Sequence, residues 1–208
     1  MNAAAYGING GWAGLRTRPE FVALFGGAST GDVRSGVLVG ETQGQSLHIG
    51  SIGSFTAGYA APKYWNVTST GQPGSSGEFV DTDFPMFRLA DAYLIYAEAV
   101  VRGAGGTRAQ ALTYVNQLRQ RAFGNTTGNI ADADLTVNFI LDERGRELFW
   151  EAHRRPDLIR FGRFTTSGIW EWKGNVPAGK TTEAFRNVYP LPASELLANP
   201  NLDQNPNY

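Results

Sequence analysis

Residues 136–164 read TVNFILDERGRELFWEAHRRPDLIRFGRF. Charge in this stretch follows a helical period. Arg144, Glu147, Glu151 and Arg154 are spaced by three or four, which places them on one face of a helix. Asp142, Glu143 and Arg146 add further pairs, and Leu141, Leu148 and Ala152 run beside them as an apolar stripe. A wet helix also tolerates such charges. Phe139, Ile140, Leu148, Phe149 and Trp150 are too many large apolar groups for one. The expectation is a half-buried helix whose Arg and Glu side chains pair with each other and with neighbouring elements. Gly145, mid-helix at a cost of about 1 kcal/mol against Ala, is expected to let another backbone approach. Pro156 removes a donor and pushes Arg155 out of the helical region. A short second helix over residues 156–161 follows, carrying Asp157 and Arg160 and closed by Gly162.

Composition narrows the function. A chain of 208 residues is long enough for one sizeable core or two small ones. A net charge of -1 gives no electrostatic reason to expect nucleic acid. No run of eighteen apolar residues is present, and no charged leader with an apolar core and cleavage site. Cysteine is absent, which excludes disulfides, thiolate catalysis and zinc–cysteine sites. Aromatic residues make up 12% of the chain. They suit sugar-binding loops, and equally suit pinning irregular backbone.

Most of the 26 glycines precede Phe79, so the first part is punctuated by turns. Residues 19–25 (PEFVALF) predict a short helix with Phe21, Leu24 and Phe25 inward. Residues 37–39 and 46–52 predict brief strands. Residues 59–67 (YAAPKYWNV) are aromatic and basic, and residues 68–77 form a Ser/Thr/Gly loop. Regular structure begins at Asp83. Pro85 is expected in the first turn of a helix running to about Arg102, with Leu89, Tyr93, Tyr96, Ala97 and Val100 buried. A second helix opens at Thr107 and Gln110 with capping-box spacing, buries Leu112, Val115, Leu118 and Ala122, and ends at Gly124. The short connection makes the two an antiparallel hairpin. In the tail, residues 194–197 predict one helical turn, and the Asn-Pro pairs at 199–200 and 205–206 predict turns.

Four segments resemble the C-terminal part of the SusD/RagB family, the surface glycan-binding lipoproteins of Bacteroidetes: FRLADAYLIYAEA (87–99), ALTYVNQLRQRA (111–122), ILDERGRELFWEAHRRPDLIRFG (140–162) and YPLPASELLANPNLDQNPNY (189–208). NGGWAGL near Gly10 and GDVR (31–34) are weaker echoes. The resemblance implies a mostly α fold, with tetratricopeptide-like helix pairs and a loop-rich, irregular part carrying short strands. Residues 1–80 are then a loop-rich, ligand-facing segment, and residues 81–208 a helical core with an irregular tail, together one domain. Complete members are longer, with a signal peptide and a lipid-anchored cysteine, so the expectation is a C-terminal portion of a surface-exposed outer-membrane lipoprotein. Such proteins hold oligosaccharides or polysaccharides for a TonB-dependent, SusC-like transporter, and bind without cleaving. No cofactor or metal is implied.

Sugar binding needs flat apolar faces and a few polar groups for hydroxyls. Tyr59, Tyr64 and Trp65, with Lys63 and Asn66, combine these in one loop. Trp12 with Asn9 is a second candidate, and Trp170 with Trp172 a third, sharing a face if extended. The competing reading is that each aromatic pins a loop. A second class of function is a helical protein-interaction scaffold docked on the transporter without sugar. The carboxylates of 142–151 resemble paired glycosidase acids only superficially, because each has an Arg at helical contact distance. Arg144, Glu147, Glu151, Arg154, Asp157 and Arg160 are therefore read as a structural ion-pair network. His48 and His153 lack a metal-binding pattern, and Asp132 with Asp134 lacks the Gly and closing Glu of a calcium loop.

Overall fold

In the computed structural model, residues 3–11, 14–27, 30–36, 44–60 and 63–208 are described. Helix α4 spans Val137–Glu147 and starts where the hydroxyl of Thr136 accepts the Phe139 N–H at 3.2 Å. It stops four residues before Glu151, earlier than its periodicity predicts. Trp150 and Ala152 adopt φ of 60° and 61°. Left-handed backbone costs about 1–2 kcal/mol per non-glycine residue. The turn aims Glu151 back at cations from other segments, so tertiary pairing overrides the helical pattern. Only Arg144 and Glu147 of the expected four charges lie on α4.

Helix α2 (Leu89–Val101) and helix α3 (Arg108–Phe123) form the expected hairpin, and α2 packs on both α3 and α4. Tyr93 stacks on Tyr114 at 4.2 Å, and the Tyr96 hydroxyl accepts the Thr107 N–H at 3.1 Å. Thr107 caps α3 by accepting from Gln110, and Gly124 closes it at φ 68°. Ala90, Leu94, Ala97, Ala111, Val115, Leu118, Ala122, Ile140 and Leu148 form the buried helical core. The α2 face is rotated from the expected one: Leu89 is 64% exposed, and Leu94 carries the burial. Pro85 lies ahead of the helix, because Arg88 at its start is extended, with φ -149°.

The loop-rich N-terminal part seats on these helices. Strand β1 (Arg16–Thr17) pairs antiparallel with β2 (Tyr59–Ala60), and the Thr17 hydroxyl donates to the Tyr59 carbonyl at 3.0 Å. Residues 19–25 make helix α1 (Pro19–Val22) and a 3-10 turn, Ala23–Phe25. Val22, Phe25 and Tyr59 form a cluster with Phe21, Leu24, Leu47 and Phe149 packed against it. Gly145 leaves room for side chains, not backbone: a Cβ there would stand 2.8 Å from Leu24 Cδ1 and 2.9 Å from an Arg154 Nη. Of residues 46–52, Ser46 makes one parallel bridge to Ala57, and the rest is bends, a turn and irregular backbone. The strand expected at 37–39 lies outside the described residues.

Two compact units emerge, residues 1–154 and 155–208. Residues 1–80 share a unit with the helices because Arg34 and Lys63 are bound into α4 and its corner. Helix α5 (Arg154–Arg160) begins before Pro156, so Arg155 is helical. Pro156 falls in the first turn, where a helix has no acceptor for its N–H. Helix α6 spans Ala193–Ala198, and Gln204 locks the tail by bonding both the N–H and the carbonyl of Leu191, at 2.8 and 3.0 Å. No helix among the described residues is long and apolar enough to cross a membrane.

Candidate functional site

Three carboxylates at successive turns of α4 and its corner organise the first unit. Glu143 accepts from Arg34, Arg119 and Arg146, each at 2.9 Å. Glu147 accepts from Arg34 at 2.9 Å, Arg88 at 2.6 Å and Arg121 at 2.5 Å. Glu151 accepts from Arg88 at 2.6 Å and from Lys63. All three side chains are buried, while their cations lie nearer the surface. Arg144 faces Asp91 of α2 at 2.8 Å, and Arg154 donates to the Leu141 carbonyl at 2.9 Å. In the second unit Asp157 is buried and accepts from Arg160 at 2.7 Å.

Electrostatics follow from this geometry. Burial pushes the Glu147 carboxyl up, but the Arg88 and Arg121 hydrogen bonds and the charges of Arg121 and Arg34 override it and hold it at about 2. Burial likewise opposes ionisation of Glu143 and Glu151, and their cations win, so both lie below the ordinary carboxylate range. A carboxyl held ionised cannot donate a proton to a leaving group.

The aromatic candidates separate. Trp12 lies outside the described residues. Tyr59 is 3% exposed within the apolar cluster, so it cannot reach a ligand and belongs to the core instead. Tyr64 lines a cavity, and Trp65 is linked to it through Tyr6, which lines the same cavity. Trp65 is 48% exposed and packs its ring on Tyr6 at 4.7 Å. Tyr6, Tyr64, Val80 and Phe84 line a cavity of about 260 Å³, with Thr82 and Asp83 among its polar groups. Tyr64 is oriented by donating its hydroxyl to the Trp150 carbonyl at 3.1 Å, which ties this cavity to the left-handed corner.

The polar residues expected beside these rings are already engaged. Lys63 serves Glu151 and the Glu147 carbonyl. Asn66 is buried, donating to the carbonyls of Gly7 and Ser76 and accepting from Asp81 N–H. Trp170 and Trp172 lie in the second unit, and Trp172 at φ 63° puts the chain in a turn, so the face-sharing expected of an extended segment is lost. Trp170 packs on Phe164 at 6.2 Å, with the Lys173 ammonium 4.4 Å over its ring. Among the described residues no group of three or more His, Asp or Glu is placed to hold a metal ion.

Sequence reading missed Tyr6 and Phe84, which no periodicity marks, and missed that Arg34, Arg88, Arg119 and Arg121 serve α4. The GDVR, FRLADAY and NQLRQRA segments did contain those arginines.

The sequence profile of the SusD family matches residues 37–208. This chain belongs to the SusD family. The starch-binding protein SusD of Bacteroides thetaiotaomicron is 38% identical over 197 residues, covering 94% of this chain and 33% of SusD. SusD-like protein P25 of Formosa agariphila is 33% identical over 148 residues, covering 66% of this chain and 26% of P25. The chain thus spans a minor part of the curated SusD relatives it matches. A SusD superfamily crystal structure from Parabacteroides distasonis aligns with a TM-score of 0.61 and 27% identity, covering 91% of this chain and 41% of that one. Surface glycan-binding protein A of Bacteroides uniformis aligns with a TM-score of 0.56, covering 91% of this chain and 40% of that one; at 21% identity this supports the SusD fold alone.

Proposed function

We propose that this chain is part of a non-catalytic carbohydrate-binding protein of the bacterial outer-membrane surface, a lipoprotein that captures oligosaccharides or polysaccharides for a TonB-dependent, SusC-like transporter. The observation that carries the reading is Trp65, half-exposed and braced on Tyr6, a ring that also lines the Tyr64–Phe84 cavity. A ring presented on a fixed support loses little freedom when a pyranose stacks on it. The starch-binding name of a relative 38% identical points to the same ligand class. Glu143, Glu147 and Glu151, held ionised by their cations, fix the loops in place and do not supply a proton for hydrolysis.

Calorimetry with maltoheptaose and a panel of neutral glycans tests this. Wild-type chain is expected to bind at least one of them, and Trp65→Ala to weaken that binding about tenfold, by losing one stacking face. Binding unchanged by Trp65→Ala removes the proposed site.

A second reading is favoured by a separate observation. Phe79, Phe84, Met86, Phe87 and Leu89 are between 57% and 90% exposed on one short segment. They suit docking on the transporter, which a sugar-independent pull-down, lost in Met86→Asp/Phe87→Asp, would favour.

A further inference from the structure

The second unit contains a cavity of about 620 Å³ that the Trp65 site does not involve. Its walls combine rings with an excess of positive charge. Trp170 and Tyr189 line it, and Tyr189 is 67% exposed. Arg155, Lys173, Lys180 and Arg186 line it too, against one carboxylate, Glu183.

Each cation is placed differently. The Arg155 guanidinium lies 3.8 Å from the Tyr189 ring centroid and donates to the carbonyls of Arg186 and Asn187 at 3.0 and 3.2 Å. Lys173 is buried behind Trp170 and donates to the Thr165 carbonyl at 2.9 Å and to that of Gly168. Both are fixed positive charges answered by carbonyl dipoles, not by carboxylates. Arg186 pairs with Glu183 at 2.7 Å through its Nε, which leaves its terminal nitrogens to the cavity. Among the described residues the Lys180 ammonium makes no hydrogen bond or salt bridge, although its charge adds to the Arg186 hydrogen bond in holding the Glu183 carboxyl below the ordinary range; its stem is held, since a Cβ on Gly174 would stand 2.7 Å from Lys180 Cγ.

We propose that this cavity is a second saccharide site, selective for acidic sugars bearing carboxylate or sulfate. A sugar ring stacks on Tyr189 or Trp170, and its anionic group pairs with Lys180 and the free end of Arg186. A neutral sugar leaves the positive excess unanswered, so charge sets the preference. The proposal rests on the reading above for its ligand class, saccharide, and not for its residues.

Calorimetry at low salt on the full 208-residue chain compares oligogalacturonate, a κ-carrageenan oligosaccharide, maltoheptaose and poly-L-glutamate. Oligogalacturonate or carrageenan is expected to bind about tenfold tighter than maltoheptaose. The two arms tell carboxylate from sulfate, and either supports the site. Lys180→Glu is expected to cut acidic-sugar binding about tenfold and to leave maltoheptaose unchanged, with unaltered thermal unfolding because Lys180 is exposed. Trp65→Ala is expected to leave acidic-sugar binding intact. Acidic-sugar binding that is absent, that survives Lys180→Glu, or that poly-L-glutamate equals overturns the proposal. Should Lys180→Glu abolish binding while Trp65→Ala affects no ligand, the second site stands and the Trp65 site falls; the reverse pattern spares only the Trp65 site.

Discussion

Arg88 grips Glu151 with both arms of its guanidinium, Nε to Oε2 at 2.6 Å and Nη2 to Oε1 at 2.8 Å, while its Nη1 reaches Glu147 at 2.6 Å. One side chain at the start of α2 thus serves two buried carboxylates, Glu147 at the end of α4 and Glu151 in the corner beyond it. Arg88→Ala leaves both short of a cation and is expected to destabilise by about 3 kcal/mol in urea unfolding. Arg88→Lys should recover only part of this, because an ammonium cannot make the planar two-pronged contact. A loss near 0.5 kcal/mol would mark the contact as an ordinary surface pair.

The carboxylates also set a pH dependence. Glu147 titrates at about 2 in the folded chain against 4.5 ordinarily, and Glu143 and Glu151 are shifted the same way. Between these values the unfolded chain binds more protons than the folded one, so stability rises with pH. The contribution of Glu147, about 3 kcal/mol, is complete above pH 4.5 and is lost as pH falls toward 2. Unfolding free energies across that range should fall steeply in wild type and less so in Glu147→Gln, which starts lower.

Tyr59 and Trp65 should respond oppositely to truncation. Tyr59→Ala empties a buried position and is expected to cost about 3 kcal/mol or more. Trp65→Ala is expected to change stability by under about 1 kcal/mol, since the ring is half in water. Thermal unfolding beside glycan titration separates a folding residue from a binding one.

Gly7 shapes the support of Trp65. It has φ 73°, and a Cβ there would collide with the Asn66 carbonyl. Backbone bonds fix both sides of this contact: Asn66 N–H donates to Tyr6 and Asn66 Nδ2 to Gly7, each at 2.9 Å. Gly7→Ala is expected to cost about 2 kcal/mol or more and to weaken glycan binding with it, by displacing Tyr6 from under Trp65. Unchanged stability and binding would show that the loop has slack.

What could be read from sequence divides by range. Helix α3 was legible from end to end, because its signals are local: Thr107 and Gln110 at the start, Gly124 at the stop. The end of α4 was not. Its periodicity continues to Arg154, but the chain turns at Trp150 and Ala152 to deliver Glu151 to Arg88 and Lys63, which lie 63 and 88 residues away. No window on the sequence spans that distance. The candidate surface was half legible for a related reason. Tyr59 and Trp65 are neighbours in one loop, yet the first pairs in a strand and is covered, while the second is left out in water. Irregular backbone has no period to say which side chain faces in.

The Arg34 guanidinium bridges Glu143 and Glu147 across 109 and 113 residues of chain, whereas the α2–α3 hairpin closes over a few. Short loops form long before distant ones. The GDVR segment is therefore expected to dock late, as is Leu24, whose carbonyl accepts from Arg146 across 122 residues, onto a helical frame already assembled, and Arg34→Ala should speed the escape of the N-terminal loops far more than it slows the first collapse of the helices.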